Sequence, residues 1–296
     1  MTGHPDWCPG PARPHAWPRP VEDGGYENRL LAAGRDALVK QYQRAARFHS
    51  EARALDLLGP LGLSPHCLGA CAQHRALLAE RIDARPLAGP LRGGRDDEET
   101  AARLGALLRQ LHSTPADGTG PLNAPTAEKW PRFLRRHLAT RLGSLPLTAR
   151  PADRLWALVD EHLTVLGEWD TAYVLHHDLK PANILRTPEG DLVLCDFDQA
   201  RGGDPLSDLG KLWWRTFTAA QSRPWQVFLH AYGRETDEQT QAAVTFYLIV
   251  HCIGALAYWH DHTRPGYLRH ARSARQLLAA HTGVDCPLDI RRRESA

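Results

Sequence analysis

His176-His177-Asp178-Leu179-Lys180-Pro181-Ala182-Asn183-Ile184-Leu185 is followed by Thr187-Pro188-Glu189-Gly190-Asp191 and then by Leu192-Val193-Leu194-Cys195-Asp196-Phe197-Asp198. Pro188 to Asp191 reads as a turn. The apolar runs on either side read as short strands, so the stretch predicts a β-hairpin. Folding it about Glu189-Gly190 places Asn183 roughly opposite Asp196, with one oxygen ligand at each arm of the open end. Mg²⁺ favours such a small set of protein oxygens and completes its octahedron with phosphates and water. Asp178 lies five residues before Asn183 on the same loop. There it is placed to accept a proton from a hydroxyl while a metal holds the phosphates.

Working outward, the 296 residues are long enough for one large or two modest domains with a substantial core. Lys plus Arg is 36 and Asp plus Glu 34, a formal charge of +2. So small an excess gives no general case for nucleic-acid or anionic-membrane partners. Arg291-Arg292-Arg293 reads as a solvated tail. The six cysteines, Cys8, Cys67, Cys71, Cys195, Cys252 and Cys286, form no paired CxxC units. No signal-peptide pattern and no spanning apolar run is evident; Val244 to Trp259 comes nearest and is interrupted by His251 and Cys252. The expectation is a cytoplasmic protein with reduced thiols.

Residues 1–20 are proline-rich and predict an N-terminal arm. Residues 21–84 predict a small lobe. It would hold strands within Val21–Tyr42, a helix capped by Ser50 and running to Leu58, and two strands over Cys67–Ala72 and Arg75–Ile82. Residues 85–95, rich in Gly and Pro, predict a linker. Residues 96–296 then read as mainly helical. Asp96 to Glu99 suit a helix start, and Leu104, Leu107, Leu108 and Leu111 mark an apolar face at helical spacing. Further helices are expected over Trp130–Leu142, Ala152–Leu166, 205–232, 236–262 and 267–281.

The central segment resembles the catalytic loop and metal motif of the protein-kinase-like superfamily, and within it the aminoglycoside phosphotransferase family of small-molecule kinases. His176-x-Asp178 with Asn183 matches the catalytic-loop pattern, and Asp196-Phe197-Asp198 the metal motif, with an acid where protein kinases carry glycine. Lys180-Pro181 leans the other way, because it also occurs in protein-kinase loops. Asp204-Pro205-Leu206-x-Asp208-Leu209 resembles the family's following motif, whose second Asp would buttress the catalytic loop.

The resemblance implies an α+β, two-lobed protein-kinase-like fold, with a small antiparallel-sheet N-lobe and a larger, mainly helical C-lobe. It implies transfer of the γ-phosphate of ATP, with Mg²⁺, to a hydroxyl of a small molecule. An aminoglycoside or basic peptide antibiotic leads the acceptor classes; another metabolite such as a sugar or amino alcohol, or a kinase-like binding module without catalysis, stands as the alternative. Asp178 would be the catalytic base, Asn183 and Asp196 the metal ligands, and His176 a structural support. Asp198 would support these groups or hold a cationic substrate. Lys40 is similar to the phosphate-binding lysine, with Glu51, eleven residues on, as its ion-pair partner. Gly24 and Gly25 resemble the turn over the nucleotide, and Glu80 and Ile82 the hinge whose backbone meets adenine.

Plainer readings stand beside these. Lys40 also suits a solvated edge-strand lysine, Glu51 a helix-start carboxylate, and Gly24-Gly25 a simple hairpin turn. His251, Cys252, His260 and His262 have poor spacing for a metal. Trp213-Trp214 and Tyr258-Trp259 read as core that can also wall an acceptor pocket. Glu235, Asp237, Glu238 and Asp261 are the acids to inspect for a cationic acceptor, with surface solvation as their default.

Overall fold

A computed structural model describes residues 7–8, 28–166, 171–217, 222–262 and 265–288. Its first layer is an antiparallel sheet of β1 (Asn28–Ala32), β2 (Ala37–Tyr42), β3 (Cys67–Cys71) and β4 (Ala76–Glu80), ordered β1-β2-β4-β3. Gly34, at φ +85°, supplies the left-handed residue in the turn between β1 and β2. Helix α1 (Ala45–Leu58) buries Phe48, Glu51, Ala54, Leu55 and Leu58, a stripe at helical spacing that packs beside the sheet. The helix starts five residues before the expected Ser50 cap. Ser50 is instead buried inside it and donates to Ala200 O at 2.8 Å, a bond that reaches 150 residues along the chain.

Beyond β4, β5 (Arg85–Pro86) pairs with β8 (Ile184–Arg186), which in turn pairs with β9 (Leu192–Leu194). Leu91 N donates to Thr216 O at 2.7 Å. The 85–95 segment is therefore fastened along its length to the helical part rather than strung free between two bodies. A second small sheet joins β6 (Gly120–Pro121), β10 (Arg201–Gly203) and β7 (Tyr173–Leu175). The helices are α2 (Arg95–Leu111), α3 (Trp130–Gly143), α4 (Ala149–Leu166), α5 (Leu206–Thr216), α6 (Arg223–Tyr232), α7 (Glu238–His262) and α8 (Leu268–Thr282).

Helix α7 organises this part. It is apolar all round because it is core: α3, α4, α5 and α8 all pack on it, and most of its residues are buried. It meets the length and hydropathy of a membrane span, but its burial inside the protein accounts for both. Gly210 lets α5 lie against it, since a Cβ there would fall 2.6 Å from Tyr247 Cβ. Trp130 Nε1 donates to Tyr247 Oη at 2.8 Å, and Tyr247 Oη donates to Asp204 at 2.6 Å, so buried polar groups at this joint are satisfied. Tight α5–α7 packing fixes the start of α5, on which the site depends.

Candidate active site

The loop from His176 to Lys180 leaves β7 and re-enters through a 3₁₀ turn, Pro181–Asn183, into β8. Asp208, in the first turn of α5 and fully buried, accepts from His176 N and His177 N, each at 2.7 Å. His112 Nε2 adds a third contact at 3.2 Å, while His112 Nδ1 meets Tyr232 Oη at 2.9 Å. Burial would raise the Asp208 pKa, but His112 and these backbone donors hold it below the usual carboxylate range. His177 has φ +65°, a conformation that a non-glycine residue adopts at a cost, and the Asp208 clamp sustains it. Asp208 is thus the buttress read from its motif; His112 and Tyr232, which complete it, carry no local sequence signal.

His176 ties the loop to the hairpin. Its Nε2 donates to Cys195 O at 2.9 Å, its Nδ1 accepts from Asp178 N at 3.2 Å, and its ring lies 4.5 Å from that of Phe197. Asn183 Nδ2 donates to Asp178 O at 2.9 Å, which leaves its amide oxygen as the ligand atom. The hairpin forms about the expected turn, but its register differs by one residue. Ile184 pairs with Leu194, and Cys195 N donates to Asn183 O at 3.1 Å, so Cys195 rather than Asp196 lies opposite Asn183. The ladder then ends, and Asp196 takes φ +67°, just past the open end where Asn183 sits.

Lys40 Nζ is 2.6 Å from Glu51 and 2.5 Å from Asp196, joining β2, α1 and the hairpin in one contact. Glu51 lies mid-helix and is buried, not near the helix start as its spacing suggested. Burial pushes its pKa up to about 7, with Lys40 opposing. Lys40 is itself raised well above the lysine range: burial opposes this, and Asp196 and Glu51 outweigh it. Asp196 is lowered, because Lys40 outweighs its burial.

Asp178 is buried, with Lys180 Nζ 2.7 Å from Oδ2 and Lys211 Nζ 3.4 Å from Oδ1. Burial would raise its pKa, but Lys211 and Lys180 outweigh burial and hold it well below the carboxylate range. Lys211 escaped the sequence reading, although it stands three residues after Asp208 on the same helix. Asp198 is buried between Asn28 Nδ2 at 3.1 Å and Arg47 Nη1 at 3.2 Å. It therefore ties β1 and α1 to the hairpin. Glu80 ends β4, with its N–H on His66 O and its carboxylate accepting from His66 N; Ile82 follows, half-buried. Gly24 and Gly25 lie outside the described residues.

Residues 19–247 match the phosphotransferase enzyme family, APH. The chain belongs to that family. Among curated proteins, this chain is 32% identical over 129 residues to an uncharacterized protein of Deinococcus radiodurans, a match covering 42% of this chain and 37% of that one. It is 29% identical over 148 residues to mitogen-activated protein kinase mpkC of Aspergillus oryzae, covering 49% and 42%. The matches thus span less than half the length of these curated relatives.

Solved structures share the two-lobed fold. Choline kinase LicA from Streptococcus pneumoniae aligns with TM-score 0.64 at 20% identity, covering 87% of this chain and 92% of that one. The GDP and kanamycin complex of APH(2″)-IIIa aligns at 0.66 and 14%, covering 90% and 92%. Macrolide 2′-phosphotransferase MphH from Brachybacterium faecium aligns at 0.62 and 18%, covering 86% and 90%.

Proposed function

We propose that this phosphotransferase moves the γ-phosphate of ATP to a small-molecule hydroxyl, with Asp178 as base and Asn183 and Asp196 as ligands of Mg²⁺. The observation that carries the reading is the Lys40 contact. One half-buried ammonium touches a carboxylate on α1 and a carboxylate at the end of the catalytic hairpin, and so fixes the small lobe over the large one. The donor set suits the metal. Asn183 keeps its amide oxygen, and Asp196 is an ionised carboxylate with a third of its side chain exposed. When bound, Mg²⁺ would neutralise charge on the β- and γ-phosphates.

The chain's own groups then act as follows. Lys40, steered by Glu51, steadies the phosphates. Gly24 and Gly25 cover them, and the backbone at Glu80 and Ile82 receives adenine. Asp178 orients the acceptor hydroxyl and takes its proton as the oxygen–phosphorus bond forms. The bond from the γ-phosphorus to the bridging oxygen breaks, and ADP leaves. The lobes are taken as 21–84 and 96–296, joined by 85–95 and preceded by the 1–20 arm, in a cytoplasmic enzyme.

An aminoglycoside or basic peptide antibiotic, with resistance, self-protection or tailoring as its outcome, is the acceptor class that family membership and the kanamycin-bound neighbour support. The acids singled out for it lie at opposite ends of α7, Asp261 on its last turn. Glu235, Asp237 and Glu238 lie at the N-terminal end of α7, whose 25 residues span about 37 Å. Asp237 caps that end by accepting from Thr240 N at 2.7 Å.

Thermal shift with Mg²⁺-ATP tests the nucleotide site, and ADP release with an acceptor panel tests transfer. Wild-type turnover retained by Asp178→Ala would overturn the assignment. Nucleotide binding without transfer to any hydroxyl would favour a kinase-like binding module.

A further inference from the structure

Among the described residues, the wall beyond Asp178 holds more positive than negative charge. Lys211 reaches Asp178 Oδ1 from α5. Arg215, one turn further along α5, contacts the His270 ring of α8 through Nη1. The Lys211 ammonium and the Arg215 guanidinium each lie 5.6 Å from the centre of the Trp214 ring. Trp214 stacks on His270 at 4.2 Å, Tyr267 meets His270 edge-on at 4.7 Å, and Tyr258 of α7 closes the row 4.8 Å from Tyr267. All of these side chains are half-buried. Lys180 holds the other oxygen of Asp178 and feels both Asp196 and Arg215.

One carboxylate thus faces three cations. Burial depresses both Lys211 and Arg215, with Asp178 the opposing acid. His270 is driven well below its usual range by burial and then by Lys211 and Arg215. Half-buried cations with incomplete neutralisation favour an incoming anion and disfavour a further cation. Asp261, on the last turn of α7, is exposed.

We propose that the acceptor carries an anionic group, a carboxylate or a phosphate ester, beside the reacting hydroxyl, and that Arg215 with Lys211 binds it against the Trp214–Tyr267 wall. This rests on Asp178 being the base, and it departs from a basic antibiotic as acceptor, which the same surplus of cations disfavours. The test uses the full chain with Mg²⁺-ADP and four matched probes: gluconate, glucose 6-phosphate, glucose and glucosamine, read by thermal shift and by competition. Either anionic probe should bind about tenfold or more tightly than glucose, and glucosamine more weakly than glucose. Which anion wins separates carboxylate from phosphate. Arg215→Gln should remove the preference while leaving ATP affinity unchanged. Equal binding of all four probes overturns the proposal, as does preference for glucosamine, or loss of ATP affinity in Arg215→Gln. Mg²⁺-ATP binding, measured separately, reports on the underlying active-site reading alone.

A different observation concerns the small lobe. Cys8 Sγ and Cys71 Sγ lie 3.2 Å and 3.5 Å from His74 Nδ1, and all three ligand atoms fall within 4.8 Å of one another. Both thiols are buried. A tetrahedral zinc with bonds of about 2.3 Å to sulfur and about 2.0 Å to nitrogen sets those atoms about 3.5 Å apart. Trp7 packs on Gly69 of β3, where a Cβ would sit 2.7 Å from its Nε1.

The geometry points to a Zn²⁺ site of Cys8, Cys71 and His74 that staples residues 7–8 onto β3. The protein purified without chelator should carry one zinc per chain, and Co²⁺ should give a thiolate charge-transfer band that Cys8→Ser weakens. Absence of stoichiometric metal, a Cys8–Cys71 disulfide in the mass spectrum, or a band unchanged in Cys8→Ser overturns it.

Discussion

The two sides of Asp178 are built differently. On the phosphate side, Asp178, Asn183 and Asp196 come from one loop and one hairpin within 19 residues, and the backbone itself sets their spacing. On the acceptor side, Lys211 and Arg215 come from α5, Tyr258 from α7 and Tyr267 and His270 from the start of α8. A site made from one hairpin is dictated by local turn chemistry. A site made from three helices depends on how those helices pack, and that packing leaves room for acceptors to differ while phosphate handling stays the same.

The comparison breaks most directly at Asp178, where the sides meet. Asp178→Asn keeps the shape and removes the proposed base, so kcat should fall about 10²- to 10⁴-fold while Mg²⁺-ATP affinity holds; steady-state kinetics beside nucleotide titration check this. Lys40→Met strikes the phosphate side alone. It should raise KM for ATP about 10- to 100-fold, the weight of a charge-assisted contact, and leave acceptor KM unmoved; a parallel rise in both would mean that the sides are not separable.

Gly210→Ala strikes the packing on which the acceptor side depends. Its Cβ would fall 2.6 Å from Tyr247 Cβ and 2.7 Å from Leu248 N. Urea unfolding should show a loss of about 1–3 kcal/mol, and unchanged stability would mean that α5 shifts freely on α7. The smallest effect is in pH. Glu51 has a folded pKa of about 7 against 4.5 for the free group. Between those values the native state keeps a proton that the unfolded state has released, so stability falls as pH rises through that window and levels off above it. Glu51→Gln should flatten that slope in unfolding measured across the window.

The phosphate side was legible because its signals are local. The turn at Pro188 to Asp191 set the hairpin, and motif spacing singled out Asp178, Asn183 and Asp196. Even there the register moved by one residue, because the ladder stops at Cys195 and the left-handed turn at Asp196 is invisible to alternation of apolar residues. In the small lobe, the residue that resembled a helix cap, Ser50, was already inside the helix, its hydroxyl drawn to Ala200 O by a contact no local rule encodes. His112 behind Asp208, Arg47 on Asp198 and the meeting of Cys8 with Cys71 join residues 96, 151 and 63 positions apart.

The sequence by itself determined the hairpin and, by spacing along it, singled out Asp178, Asn183 and Asp196. Lys40 and its partner Glu51 came from the resemblance to the family, and the structure brings both together with Asp196. Tertiary structure alone decided what surrounds Asp178 on the far side, because charge there is summed over helices distant in the chain. Lys211 and Arg215 are ordinary helix residues in the sequence; only the packing of α5 on α7 and the side-chain contacts between α5 and α8 set Lys211 on Asp178 and Arg215 on His270.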